Sequence, residues 1–148
     1  MKVLVIFTGG TIGSQLSNGW ISPDGHTKRE LIRRYEEEYG NSVQFVTKAP
    51  YSILSENLSS KKINILVKTV LESLDGGYDG IIVTHGTDTL QYSAAALSLA
   101  LGNECIPVLL VSGNYPLDDS RSNGHINFAA AVEFIKQKKG QRCFCCVS

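Results

Sequence analysis

Two short segments of this sequence combine hydroxyls, glycines and a carboxylate. Thr8-Gly9-Gly10-Thr11-Ile12-Gly13-Ser14 sets threonines among unblocked backbone amides, and Thr84-His85-Gly86-Thr87-Asp88-Thr89 adds further hydroxyls and a carboxylate. A threonine hydroxyl is a weak nucleophile until a base takes its proton, and an acyl oxyanion needs backbone N–H donors. A substrate ammonium group needs a carboxylate, so the two segments together carry the parts for acyl transfer on an amino-acid-like molecule. Plainer readings stand beside that one. The first segment also reads as a tight glycine turn or a phosphate cradle, although it fits neither the P-loop nor the GxGxxG pattern. His85 reads as a hydrogen-bonded structural residue or a general base, and Asp88 as a cap for a helix beginning at Thr89.

The elements that must position these residues alternate along the chain. Val3 to Phe7 is a continuous apolar run ending in glycines, as expected of a strand buried on both faces of a parallel sheet. Thr27 and Glu30 have capping-box spacing, and the helix they introduce runs to Gly40. A strand over Val43 to Thr47 follows, then a polar loop from Pro50 to Asn57. From Ser60, apolar residues at Ile63, Leu66, Val67, Val70, Leu71 and Leu74 form an amphipathic stripe closed by Gly76 and Gly77. The pattern repeats as strand Ile81 to Thr84, helix Thr89 to Leu101, strand Ile106 to Val111 and helix Ser120 to Lys138, with Arg142 to Val147 as a fifth strand. Such alternation builds a parallel sheet covered by helices on both faces, with ligands bound beyond the carboxyl ends of the strands. The site is therefore expected on loops 8–14, 52–57, 84–89 and 112–116.

Composition narrows the partner. At 148 residues, 43% of them hydrophobic, the chain suits one domain burying roughly 70% of its unfolded surface. Fourteen basic and fourteen acidic residues cancel without a basic block, so neither nucleic acid nor a membrane surface is indicated and a small molecule is. The opening apolar run is too short for a secretory or membrane segment, which points to the cytoplasm. Cys105 stands alone, and Cys143, Cys145 and Cys146 crowd the end with no second Cys/His pair at zinc spacing; they read as free thiols, and no metal or organic cofactor is implied.

At Thr8-Gly9-Gly10-Thr11-Ile12 and His85-Gly86-Thr87-Asp88-Thr89 the sequence resembles the bacterial-type L-asparaginase family. The resemblance runs through Gly19-Trp20-Ile21, Leu54 to Leu58 and Pro116 to Asn127, and is nearest the cytoplasmic type I branch. It implies an α/β, flavodoxin-like, three-layer parallel-sheet domain over residues 1–148, the amino-terminal half of a longer enzyme whose smaller carboxyl-terminal domain is absent. It implies hydrolysis of L-asparagine to aspartate and ammonia through a threonine acyl-enzyme. By position, Thr11 matches the nucleophile and Thr87 the second catalytic threonine, whose amide holds the oxyanion with the segment around Gly113. Asp88 matches the carboxylate that grips the α-amino group, Gly86 belongs to the same substrate-binding loop, and Ser55 and Glu56 lie where the substrate's α-groups bind.

The pattern also departs from the family. Trp20 stands where the family has a tyrosine in the loop after the first strand, and an indole cannot relay a phenolic proton; it reads as an apolar lid or as packing. Lys136, Lys138 and Lys139 lie at a helix end and do not match the lysine of the proton relay. Gln141 to Ser148 departs from the family's continuation, as a truncated chain or an altered reading frame would. Full-length relatives are homo-oligomers. A non-catalytic amino-acid-binding domain is the alternative function, a phosphate or nucleotide binder a weaker one, and the related component of tRNA-dependent amidotransferases shares the motifs.

Overall fold

The computed structural model describes the backbone of residues 1–10, 12, 14–17, 20–23, 25–102, 106–137 and 143–146, and the side chains of 1–10, 12, 30–102 and 106–137. Strand β1 (Lys2–Phe7) leads to a hairpin of β2 (Ser14–Ser17) and β3 (Trp20–Pro23), then helix α1 (Gly25–Tyr39) and β4 (Gln44–Lys48). Next come α2 (Ser60–Leu71), β5 (Gly80–Thr84), α3 (Leu90–Leu101), β6 (Val108–Val111), α4 (Gly124–Lys136) and β7 (Cys143–Cys146).

Five strands form one sheet in the order β4-β1-β5-β6-β7, every neighbouring pair parallel. Side chains alternate across a strand, and β1 divides accordingly. Val3, Val5 and Phe7 face a core shared with Leu31 and Tyr35 of α1 and Phe128, Val132 and Ile135 of α4. Leu4 and Ile6 face the opposite core with Leu66 and Val70 of α2 and Leu90, Ala94 and Leu97 of α3. Each fully buried aliphatic or aromatic side chain stabilises the fold by roughly 1.5–3 kcal/mol, so apolar runs such as VLVIF are what a sheet covered on both faces requires. This is the expected three-layer α/β architecture. All five expected strands are present, with shifted ends. Pro107 has no N–H to donate, and β6 begins after it, while the Pro107 carbonyl still accepts from Ile81 N at 2.9 Å.

Several helix boundaries differ from expectation. α1 begins at Gly25, so Thr27 lies inside its first turn and does not cap it. α2 stops at Leu71, and Leu74–Gly76 forms a separate 3-10 turn, after Ser73 turns its hydroxyl back to Thr69 O at 2.5 Å. α4 starts at Gly124, not Ser120, because Asp119 holds the preceding turn: its carboxylate binds the Arg121 guanidinium and its carbonyl accepts from Ser122 N. The segment after β1, expected as a loop, is the antiparallel β2–β3 hairpin, in which Ser17 pairs with Trp20. The Trp20 side chain lies outside the described residues, as do those of the terminal cysteines.

Candidate functional site

The connection leaving β1 crosses to β4 on one side, and the chain later returns to β5 on the other. In parallel sheets ligands bind at such a switch point, beyond the carboxyl ends of the strands. Here that point lies between β1 and β5, where Phe7 and Thr84 are in register. Residues 8–10 and 84–89 leave the sheet side by side at this place.

Their glycines are required by close packing. Gly9 (φ +105°) forms a bridge with Ile53, and a Cβ added to it would lie 2.2 Å from Ile53 O. Gly10 (φ +76°) donates its amide to Ile53 O at 3.0 Å, and its added Cβ would lie 2.4 Å from Gly86 N. These surfaces meet other backbone, which counts against the phosphate-cradle reading of this turn. The Thr8 hydroxyl donates to Thr84 O at 2.7 Å and so ties β1 to β5. Tyr51 packs beside it; burial pushes its phenol up to about 12, with the nearby Thr8 hydroxyl opposing. Thr8 gives its proton to Thr84 O, and the buried Tyr51 hydroxyl makes no hydrogen bond of full geometry. Thr11 lies outside the described residues. Its chain neighbours do not: Gly10 packs on Gly86, and Ile12 is fully buried, with an added Cβ on Gly124 falling 2.8 Å from its Cγ1.

Loop 52–57 closes onto loop 84–89 through Ser55, which begins a 3-10 turn and is 5% exposed. Its Oγ–H donates to Asp88 Oδ2 at 2.8 Å, and its carbonyl accepts from Thr89 Oγ1 at 2.9 Å. Gly86 is needed beneath this contact, because a Cβ there would lie 2.4 Å from Ser55 Oγ. Asp88 and Glu56 are exposed and Thr87 is half-buried. The residue before α3 makes no side-chain cap, and the described carboxylate bond of Asp88 runs to Ser55. The arrangement sets the Asp88 and Glu56 carboxylates at the sheet edge, where they favour a cationic group such as an ammonium.

His85 is 2% exposed, and burial pulls its pKa below the usual imidazole value, against a smaller opposing effect of the Gly86 carbonyl. Gly86 O can only accept, so Nδ1 carries the proton donated across 2.8 Å, and Nε2 accepts from Ser93 Oγ at 2.8 Å. With both nitrogens engaged in the core, His85 takes the structural role. Gly113 is buried against the start of α4, where an added Cβ would lie 3.0 Å from Gly124 Cα. Around it, Ser112 Oγ donates to His85 O at 2.8 Å, Asn127 Nδ2 to Ser112 O at 2.9 Å, and Asn114 N to Asn123 Oδ1 at 3.0 Å. The sequence pattern assigned no role to Ser93, Ser112, Asn123 or Asn127. Ser93 was the most readable of them, as a polar residue on the apolar stripe of Leu90, Ala94 and Leu97.

Ser55, Gly86, Thr87, Asp88 and Gly113 therefore fall on loops that meet at one sheet edge, with Glu56 on their rim. Among the described residues, no group of three His, Cys, Asp or Glu side chains could hold a metal, and no helix is long and apolar enough to cross a membrane.

Fold and site together define a doubly wound α/β domain with a threonine- and carboxylate-bearing site at its switch point. Residues 2–147 match the asparaginase N-terminal domain, and the chain belongs to that family. It is 33% identical over 133 residues to L-asparaginase 1 of Escherichia coli K12, covering 88% of this chain and 39% of that protein. It is 35% identical over 131 residues to a component of the glutamyl-tRNA(Gln) amidotransferase of Methanosarcina acetivorans, covering 88% of this chain and 31% of the relative. Among solved structures, L-asparaginase I of Vibrio cholerae superposes with a TM-score of 0.77 at 28% identity, over 90% of this chain and 40% of that one. The chain thus spans less than half the length of these relatives.

Proposed function

We propose that residues 1–148 form the nucleophile-bearing domain of an amidohydrolase that converts L-asparagine to L-aspartate and ammonia. The observation that carries this reading is the Ser55–Asp88 hydrogen bond of 2.8 Å, which clamps loop 52–57 to loop 84–89 with Thr87 beside it. On this reading the exposed Asp88 carboxylate takes the substrate's α-ammonium, and Ser55 lies beside the α-carboxylate. Glu56 on the rim adds a second negative charge that favours the ammonium by Coulomb attraction. Thr11 Oγ attacks the side-chain amide carbon as its proton leaves along the Thr87 hydroxyl. The oxyanion is held by the Thr87 amide and the segment at Gly113. Ammonia departs with a relayed proton, and water then attacks the acyl-threonine, releasing aspartate and restoring the hydroxyl.

The test is ammonia release from L-asparagine by the purified chain beside Thr11→Ala, at enzyme concentrations suited to slow turnover. Release abolished in the variant supports Thr11 as nucleophile; equal release from both chains overturns it. No release from either, with L-aspartate still bound, favours the non-catalytic amino-acid-binding domain. The 35% identity to an amidotransferase component supports a second reading, in which the ammonia is passed on within a larger assembly. Ammonia appearing free in solution from this chain alone argues against that one.

A further inference from the structure

Two successive peptide carbonyls lead up to Thr87, and each is held by a buried side chain, the first from β6's end and the second from the loop's own His85. Ser112 Oγ–H donates to His85 O at 2.8 Å, and His85 Nδ1–H donates to Gly86 O at 2.8 Å. In a trans peptide the carbonyl and the following N–H point in opposite directions. Holding His85 O toward β6 therefore turns the Gly86 N–H toward β1, where Gly10 packs against it. Holding Gly86 O toward the buried imidazole turns the Thr87 N–H away from the core, toward the open sheet edge.

The holders are themselves held. Ser112 is 1% exposed, and its carbonyl accepts from Asn127 Nδ2 of α4 at 2.9 Å. His85 is anchored by Ser93 of α3 at 2.8 Å. These are neutral side chains in a low-dielectric interior, where hydrogen bonds are strong and reorientation is costly. The Ser112 hydroxyl also duplicates no ladder bond, because the β5–β6 pairing continues independently through His85 N to Val111 O at 2.9 Å. Its loss frees one carbonyl without unzipping the strands.

We infer that Ser112 is a positioning residue for the reaction proposed above, on which this inference rests: through His85 O it aims the Gly86 and Thr87 amides, with Asn127 as its backing. A polar side chain at this depth beside Gly113 acts on the oxyanion donors and touches no substrate atom.

The experiment measures residual dipolar couplings of the 15N-labelled chain, as wild type, Ser112→Ala and Ser112→Cys. Couplings at Gly86 and Thr87 are expected to change in Ser112→Ala while those at Val5 and Ile82 stay fixed. Ser112→Cys, of similar shape but a weaker donor, is expected to fall between, and it carries the test alone if the alanine variant does not fold. Unchanged couplings at Gly86 and Thr87, or equal changes throughout the sheet, overturn the inference. Where the wild type releases ammonia, kcat in Ser112→Ala should fall about tenfold to a hundredfold with KM near wild type, and an unaltered kcat likewise overturns it. A wild type that releases no ammonia counts against the hydrolase reading alone, and the couplings still decide this one.

Discussion

Gly10 and Gly40 have nearly the same backbone torsion, φ +76° and +79°, but different surroundings. A Cβ on Gly40 meets nothing within 4 Å, whereas one on Gly10 would sit 2.4 Å from Gly86 N. Gly40→Ala should therefore cost only the left-handed strain of about 1–2 kcal/mol, and Gly10→Ala should cost about 3 kcal/mol or more. Urea midpoints of the two variants check this. His85 makes a second residue-scale prediction. Its folded pKa is lowered below the ordinary 6.5 by burial, so the unfolded chain binds the proton more readily. The neutral form's contribution is complete above about pH 6.5 and is lost as pH falls from there toward the lowered folded value. The stability difference between wild type and His85→Gln should accordingly shrink between pH 7.5 and 5, as read by urea unfolding at each pH. A constant difference would show that the buried imidazole does not titrate with folding.

At the scale of elements, what holds the site is lateral pairing and a few long-range pins. Arg34 of α1 reaches 83 residues along the chain, where Nη1 donates to Leu117 O at 2.5 Å and Nη2 to Asp118 Oδ1 at 3.2 Å, fixing the turn that precedes α4. The same guanidinium, with that of Arg33, holds the Glu30 carboxyl down to about 2, Arg33 having the larger effect. β7 is the element whose removal is most informative. It pairs with Val108–Val111 of β6, a strand that is wholly buried. Deleting residues 138–148 would leave this apolar strand as an open edge, a template for pairing with other chains. The shortened chain should melt several degrees lower and scatter light at concentrations where the full chain stays clear. An unchanged melting temperature would show that β7 contributes little to the fold.

At the scale of the whole molecule, sheet order decides where the site can be. With β1 flanked by β4 and β5, the crossover connections diverge at β1, and the loops that leave β1 and β5 open a crevice there. Loop 52–57 follows β4 yet reaches the same crevice, because Ile53 bridges to Gly9 beyond the end of β1. Segments widely separated in the chain become one surface by this route. Membership of the asparaginase family fits this placement, and the part matched is the family's N-terminal domain, 39% of E. coli L-asparaginase 1 for example.

Strand and helix alternation was legible from local pattern alone, since an apolar run such as VLVIF or IIVT and a stripe such as Leu66–Val70 are each complete within a few residues. The two threonine-glycine motifs were legible in the same way, and with them the candidate residues Gly86, Thr87 and Asp88, whereas Ser55 became a candidate only through the family resemblance. Helix starts were not, because the ends of α1 and α4 depend on which polar groups find partners once the chain is folded, as Asp119 does with Arg121. Nor did the sequence reveal that His85 is committed on both nitrogens, that Gly10 must be glycine because of Gly86, or that Ser112 and Asn127 stand behind the site. Periodicity along the chain reports burial, which each residue largely carries in its own chemistry. Hydrogen-bond partners 8, 27 and 33 positions away are chosen only when the sheet brings them within 3 Å.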